Sequence, residues 1–216
     1  MKRITERGIM DNEEQVQAYA EADFSDSNQL FLEILQREFS RYLHIVLDLG
    51  CGPADLGISL AKADHLIHLI GIDGSEAMVK IARKKVEQAE LTTRIEIIQG
   101  FIPDLKITEN IKLIISKDTL HHFKDPTIFW RYIKDIASKG TAICVMDLKR
   151  PESVLNAKEI VEQISAHEHP TLKRDFYNSL LAAFTPQEIK EQLRKVGLNL
   201  SVTSLGKRHF VVKGII

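Results

Sequence analysis

Short, nearly continuous apolar runs alternate along this chain with longer amphipathic stretches. The apolar runs fall at Ile45–Leu49, Leu66–Ile72, Ile95–Ile98, Ile111–Ile115 and Ala142–Met146. Strands this continuously apolar belong in a parallel sheet that is buried on both faces. Between them, apolar residues at helical spacing predict helices over Asp55–Ala63, Ser75–Ala89 and Pro126–Ala137. Strand followed by helix, repeated, predicts an α/β fold with a doubly wound sheet.

Local signals mark where the helices start and stop. Ser75 is placed to cap one helix, although Met78 denies it a full capping box. Asp125 precedes Pro126, a cap followed by proline at the first helical position. Thr185 with Glu188 has capping-box spacing, and Gly197 ends the helix that follows. Leu198–Leu205 and His209–Lys213 are two β-like runs joined by Gly206, Lys207 and Arg208, which predicts an antiparallel hairpin. Ahead of the first strand, helices are expected over Glu13–Ala22 and over Asn28–Phe39, the latter capped by Ser27. A helical insert is expected between Pro151 and Ala183. Neither segment is needed to build the sheet, so both are candidates for a lid. The expected organisation is a lid segment at 1–42 and a ligand-binding domain at 43–216 carrying the insert at 151–184, together one structural domain.

Composition narrows the partners. The chain has 216 residues, 44% hydrophobic and 27% charged, ordinary for a globular domain. Its 29 basic residues nearly cancel its 30 acidic ones, so it carries no electrostatic footprint for nucleic acid or an anionic membrane. Cys51 and Cys144 sit in apolar runs and read as buried thiols rather than a disulfide. The opening MKRITERGIMDNEEQ lacks the apolar stretch of a signal peptide. No apolar run approaches the roughly 18 residues needed to cross a bilayer. A cytoplasmic location is expected; the pattern sets no oligomeric state.

The sharpest motif is Val46-Leu47-Asp48-Leu49-Gly50-Cys51-Gly52-Pro53-Ala54, a buried strand running into a glycine turn and then a helix. In an open parallel sheet, ligands bind at the carboxyl ends of the strands, so this loop is the expected site. A dinucleotide fingerprint requires a third glycine three residues after Gly52, and Asp55 stands there. A carboxylate beside a pyrophosphate is repelled, whereas S-adenosylmethionine has no phosphate and carries a sulfonium cation. The loop therefore favours S-adenosylmethionine over NAD. Asp73 follows the second strand about twenty residues past the glycines, where a carboxylate binds ribose hydroxyls. A helix-capping aspartate is its plainer explanation.

From Ile45 to about Asp147 the chain resembles the class I S-adenosylmethionine-dependent methyltransferases, in particular the small-molecule branch with the ubiquinone and menaquinone C-methyltransferases. VLDLGCGPADLGISLA resembles the family's first motif and GIDGSEAMVKIARKK its second. IKLIISKDTLHHFKDP and TAICVMDLKRP resemble the fourth- and fifth-strand regions. The resemblance implies a Rossmann-like sheet of seven strands in the order 3-2-1-4-5-7-6 with strand 7 antiparallel. It implies that Asp48, Gly50 and Gly52 hold the methionine end of the cofactor and Asp73 its ribose. Cys51, Gly74 and Lys117 lie in the same motifs and Gly100 ends the third-strand motif Ile97-Ile98-Gln99-Gly100; with Phe101 and Tyr19 they complete the expected cofactor-binding set. Two departures stand out. Phe101 follows Gly100 where the family places an acid for the adenine amino group, so adenine is expected to rest on backbone and on Phe101. Ala54 replaces the third glycine of the first motif.

Methyl transfer from a sulfonium is an in-line displacement, so the enzyme chiefly aligns the acceptor and removes a proton where needed. Asp118, His121 and His122, after the fourth strand, are the base candidates, and packing or pocket lining is the bland alternative for the histidines. His121-His122 and His167-Glu168-His169 lack helical two-histidine spacing, and no metal site is expected. Tyr19, Asp23, Phe24 and Asn28 form a polar-aromatic string; in similar methyltransferases an amino-terminal helix folds over the cofactor, often with a tyrosine near its carboxylate, a place that suits Tyr19, and ordinary helix packing explains the string equally well. Arg174 to Ser179 in the insert is a similar string that suits an acceptor pocket. The expected function is methylation of a small molecule. The alternatives are an RNA or protein methyltransferase and a non-catalytic S-adenosylmethionine-binding protein, with an NAD oxidoreductase disfavoured by Asp55. Against RNA stands Ser116-Lys117-Asp118-Thr119, where an Asn-Pro-Pro-Tyr-like tetrad is absent.

Overall fold

A computed structural model describes residues 1–6, 13–42 and 44–216. Its seven-stranded sheet has the order β3-β2-β1-β4-β5-β7-β6. The strands are β1 Ile45–Leu49, β2 His68–Asp73, β3 Ile95–Gln99, β4 Leu113–Lys117, β5 Ala142–Leu148, β6 Ser201–Leu205 and β7 His209–Ile215. Strands β1 to β5 pair in parallel, while β7 runs antiparallel to both β5 and β6. The order and the reversed strand are those expected.

Alternate residues of each strand serve opposite faces, and helices bury both. On one face, Val46, Leu69, Ile97, Ile115 and Cys144 pack beneath α2 (Ser25–Phe39), α3 (Asp55–Ala63) and α4 (Glu76–Gln88). On the other, Leu47, Ile70, Ile114, Ile143 and Phe210 meet α5 (Pro126–Ile136) and α8 (Pro186–Val196). This two-sided burial is why the strands read as continuous apolar runs rather than as alternation.

The capping signals hold in detail. Ser75 accepts from Met78 N–H at 3.2 Å, and Asp125 from Thr127 N–H at 2.9 Å. Thr185 and Glu188 form the reciprocal capping box, and Gly197 adopts φ +70° to end α8. Boundaries moved where polar residues continue a buried strand. β4 runs to Lys117, past the apolar run, because the Ser116 hydroxyl donates to the Leu49 carbonyl at 2.6 Å and is satisfied there. β2 starts at His68, since Leu66 lies in a turn whose amide donates to Asp64. The expected Ser27 cap is corrected: α2 begins at Ser25, and the buried Ser27 hydroxyl donates to the Phe24 carbonyl inside the helix.

α2 is core, burying Phe31, Ile34, Leu35 and Phe39 against the sheet. The segments lying over the strand ends are residues 1–6, α1 (Glu13–Glu21) and the insert helices α6 (Val154–Ile164) and α7 (Pro170–Ala182). Ile4 N–H donates to the Leu181 carbonyl at 3.0 Å. Arg3 donates to the Ala182 carbonyl and lays its guanidinium 3.9 Å from the centre of the Phe184 ring. α1 docks on α7 through Gln15, whose amide donates to Asp175 at 3.0 Å. No described helix is long and apolar enough to cross a membrane.

Candidate active site

The loop after β1 is shaped by backbone that only glycine adopts easily. Gly50 and Gly52 have φ of +78° and +51°. A methyl group at Gly50 would stand 2.1 Å from the Thr119 hydroxyl, so the loop and the segment after β4 approach as closely as they do only because the side chain is absent. Ala54, at the start of α3, is also left-handed, with φ +66°, the conformation that the family's glycine takes without strain.

Asp73, at the carboxyl end of β2, holds this loop. One carboxylate oxygen accepts from Gly52 N–H and the other from Ser75 N–H, each at 2.9 Å. The residue thus ties the glycine turn to the start of α4, while Ser75 itself is the helix cap. Next to it, the Phe101 ring lies against Gly74, where an added methyl group would come within 2.7 Å of it. The ring is 50% exposed, leaving one side uncovered.

These residues line one end of a cavity of about 570 Å³ above the carboxyl ends of the strands. Gly50, Gly52, Asp73, Gly74, Gly100, Phe101 and Lys117 all border it, with Tyr19 and Phe24 as a roof. Those two rings pack with centroids 4.6 Å apart. Burial, with Asp118 and Asp73 nearby, pushes the Tyr19 phenol well above its usual range, so it stays a hydroxyl. Of the polar-aromatic string, Asp23 also reaches this cavity, and Asn28 faces a smaller recess beside it. Of the insert string, Asp175, Phe176 and Ser179 line the far end, whereas Tyr177 packs in the insert's own apolar cluster.

Asp48 and Cys51 are not on the wall; both are buried behind the loop. Burial and the neighbouring Asp73 raise the Asp48 carboxyl to about 7. The folded chain therefore binds a proton at Asp48 that the unfolded chain has released between about pH 4 and pH 7, and stability falls as pH rises through that window. At about 1.4 kcal/mol per unit the penalty above pH 7 is on the order of 2–4 kcal/mol. Asp48→Asn is expected to raise the ligand-free unfolding free energy by about 2 kcal/mol at pH 8 and by little at pH 4. Denaturant titrations at both values check this; a gain independent of pH would remove Asp48 as its source.

Asp55 takes a different place from the one expected. Its carboxylate faces α4, with both oxygens within 2.9 Å of the Lys85 ammonium. It is not among the residues of the main cavity and does not itself repel a ligand there. What excludes the dinucleotide pattern is the missing third glycine at this position.

The three base candidates differ sharply in state. Burial disfavours charge on His121, but the Asp147 carboxylate, 2.7 Å from its Nδ1, outweighs that and lifts the imidazole to about 9. At neutral pH His121 is protonated. Burial opposes ionisation of Asp118, yet the Lys117 ammonium at 2.7 Å and His209 hold its carboxyl at about 2. Its Oδ1 is buried without a hydrogen bond, and its backbone is left-handed, with φ +54°. His122 is the most exposed of the three and contacts Glu6 through Nδ1.

Four residues of this region escaped sequence reasoning. His209 and Arg208 line the cavity from the start of β7. Because β7 runs antiparallel, its first residues, not its last, lie beside the carboxyl end of β5, as the Leu148–His209 pairing shows. Burial pushes His209 down to about 4, so it is a neutral ring, 3.7 Å from Asp118. The predicted hairpin was signal enough to place them. Arg3 and Glu6 carried none, since no periodicity surrounds them.

A glycine-turn site with a second-strand carboxylate, on a 3-2-1-4-5-7-6 sheet with strand 7 reversed, is the architecture of the class I methyltransferases. Residues 43–197 match the family model described as a methyltransferase domain. The chain belongs to this family, and with it to the S-adenosylmethionine-dependent methyltransferases. Among curated relatives, it is 29% identical over 122 residues to malonyl-[acyl-carrier protein] O-methyltransferase of Priestia megaterium, covering 56% of this chain but 43% of that one. It is 26% identical over 186 residues to carboxy-S-adenosyl-L-methionine synthase of Campylobacter hominis, covering 82% and 78% of the two chains. The chain thus spans less than half the length of the first of these relatives. Among solved structures, a SAM-dependent methyltransferase from Aquifex aeolicus aligns with TM-score 0.71 at 20% identity, over 95% of this chain and 98% of that one. The plantazolicin methyltransferase BpumL, in complex with a triazolic desmethylPZN analog and SAH, aligns with TM-score 0.68 at 16% identity, over 93% and 90%. Both show the shared fold.

Proposed function

We propose that this chain transfers the methyl group of S-adenosylmethionine to a small-molecule acceptor. The observation that carries this is one continuous cavity, with a cofactor-shaped end at the glycine loop and a mixed polar and apolar end at the insert. At about 570 Å³ it lies in the ordinary range for small-ligand sites, roughly 300–1,000 Å³. The insert lines its far end, and residues 1–6 form a strap tied through Arg3 to the end of α7 and the turn after β4, a setting that suits a metabolite better than an RNA duplex or a folded protein.

The bound cofactor supplies an already activated methyl group on a cationic sulfur. The residues of the chain do the rest. Gly50 and Gly52 admit the methionine portion close to the backbone, and Asp48 stands buried behind that loop. Asp73 accepts from the ribose hydroxyls, and Phe101 offers its uncovered side to the adenine. Tyr19 and Phe24 close the site from above. On the acceptor side, protonated His121 donates, while His209, held at about 4 by burial, stays a neutral hydrogen-bonding ring. With no strong base in place, alignment of the acceptor supplies most of the rate. The two unpaired, buried thiols, Cys51 and Cys144, suit our placement of the protein in the cytoplasm.

Incubating the full chain with S-adenosylmethionine and a cell extract, fractionated by size, tests the reading. We expect S-adenosylhomocysteine to form together with a metabolite heavier by one methyl group. Methyl label in the RNA or protein fraction would move the function to a macromolecular acceptor. Cofactor binding without product in any fraction would make this a binding protein.

A further inference from the structure

We propose that Glu6, His121 and His122 form a binding site for one divalent transition-metal ion, of the zinc or cobalt class, on the acceptor side of the cavity. One ligand atom of each lies within 4.8 Å of the other two. Two imidazoles and a carboxylate suit borderline ions such as these. Three protein ligands leave a coordination position open, the pattern of catalytic rather than structural sites. The adjacent histidines do not need helical spacing here. The tight 3-10 turn Leu120–His122 brings their rings to one side, with centroids 4.2 Å apart.

The surroundings of the trio are those of a built site. Nδ1 of the buried His121 is 2.7 Å from Asp147, which fixes the ring and leaves Nε2 with no hydrogen bond among the described residues. A carboxylate behind a ligating histidine is the common outer-shell arrangement, since it makes the ring a more basic ligand. Glu6 is oriented in the same way, its Oε1 accepting from the Ser179 hydroxyl at 2.6 Å. Arg3 makes no ion pair with Glu6 among the described residues. It donates to the carbonyls of Ala182, His121 and Phe123. Without metal, Nδ1 of His122 bonds directly to Glu6. An ion takes the place of that shared proton and of the proton on Nε2 of His121, so binding releases protons.

The site itself is independent of the methyltransferase reading; only its use rests on that reading. His121 and His122 line the cavity, so the open position faces the space assigned to the acceptor. A thiol or hydroxyl of the acceptor bound there is acidified by the ion and gives its proton to solvent water before it attacks the methyl carbon. The carbon–sulfur bond of the sulfonium then breaks as the new bond to carbon forms, and the electron pair leaves on sulfur.

The test is a Co²⁺ titration of the full chain after chelator treatment, read by visible absorption. We expect saturation at one equivalent and displacement by Zn²⁺. Glu6→Gln and His122→Ala should each weaken Co²⁺ binding by more than about 100-fold, and Ser179→Ala by about 10-fold, as loss of a ligand or its support does. Calorimetry with S-adenosylhomocysteine on the same variants should give wild-type affinity, so failure of the metal site and failure of the cofactor reading are told apart. Absence of saturable Co²⁺ binding, or equal binding by Glu6→Gln, would overturn the proposal and leave the trio as a hydrogen-bonded latch for residues 1–6. Should Glu6→Gln not fold, the wild-type titration and Ser179→Ala still decide.

Discussion

Removing residues 1–24 is expected to leave a folded sheet that binds S-adenosylmethionine about 10- to 100-fold more weakly and transfers no methyl group. The cut is chosen from the packing. α2 begins at Ser25 and contributes Phe31, Ile34, Leu35 and Phe39 to the core, so it must remain. What is lost is the roof, namely Tyr19, Asp23 and Phe24 on the cavity wall, and the strap anchored by Arg3 and Glu6. A factor of 10 to 100 corresponds to about 1.4–2.8 kcal/mol, a modest figure for losing one wall of the site. Transfer suffers more than binding, because an open site admits water and no longer orients the acceptor. Circular dichroism reports the fold, calorimetry the cofactor, and product mass the turnover. Cofactor binding at full strength by the truncated chain would reject residues 1–24 as a lid.

Asp73→Ala is expected to have the largest effect of any single substitution at the cofactor end. Two consequences follow from its two roles. The amides of Gly52 and Ser75 lose a charged acceptor, which lowers the unfolding free energy by about 1.5–3 kcal/mol. The ribose loses its carboxylate, which weakens S-adenosylmethionine by a further 1.5–3 kcal/mol or about that. Measuring stability and affinity on the same preparation separates them. Lowered stability with unchanged affinity would reduce Asp73 to a support for the loop.

The legible part of this protein is the part governed by local pattern. Two-sided burial wrote β1, β2, β4 and β5 into the sequence as apolar runs, and Thr185, Glu188 and Gly197 announced α8 because capping is a property of a few consecutive residues. The site end at Gly50, Gly52 and Asp73 was legible for a similar reason: a close backbone approach demands glycine, and Asp73 must follow its strand directly. The acceptor end was not. Glu6 reaches His122 from 116 residues away in sequence, and the states of His121 and Asp118 depend on Asp147 and Lys117. Such pairings are set by tertiary contact, which single-sequence periodicity does not carry. Asp48 shows the limit from the other side. Its motif marked it as a residue that holds the cofactor, but only packing reveals that it lies within β1 behind the wall, not on it.

The most direct test of the account is a calorimetric titration of the full chain with S-adenosylhomocysteine, run beside an identical titration with NAD. The glycine loop, Asp73 and Phe101 predict one site per chain with micromolar affinity for the sulfur nucleoside, about −8 kcal/mol, and no heat from NAD. Saturable heat from NAD with none from S-adenosylhomocysteine would contradict it.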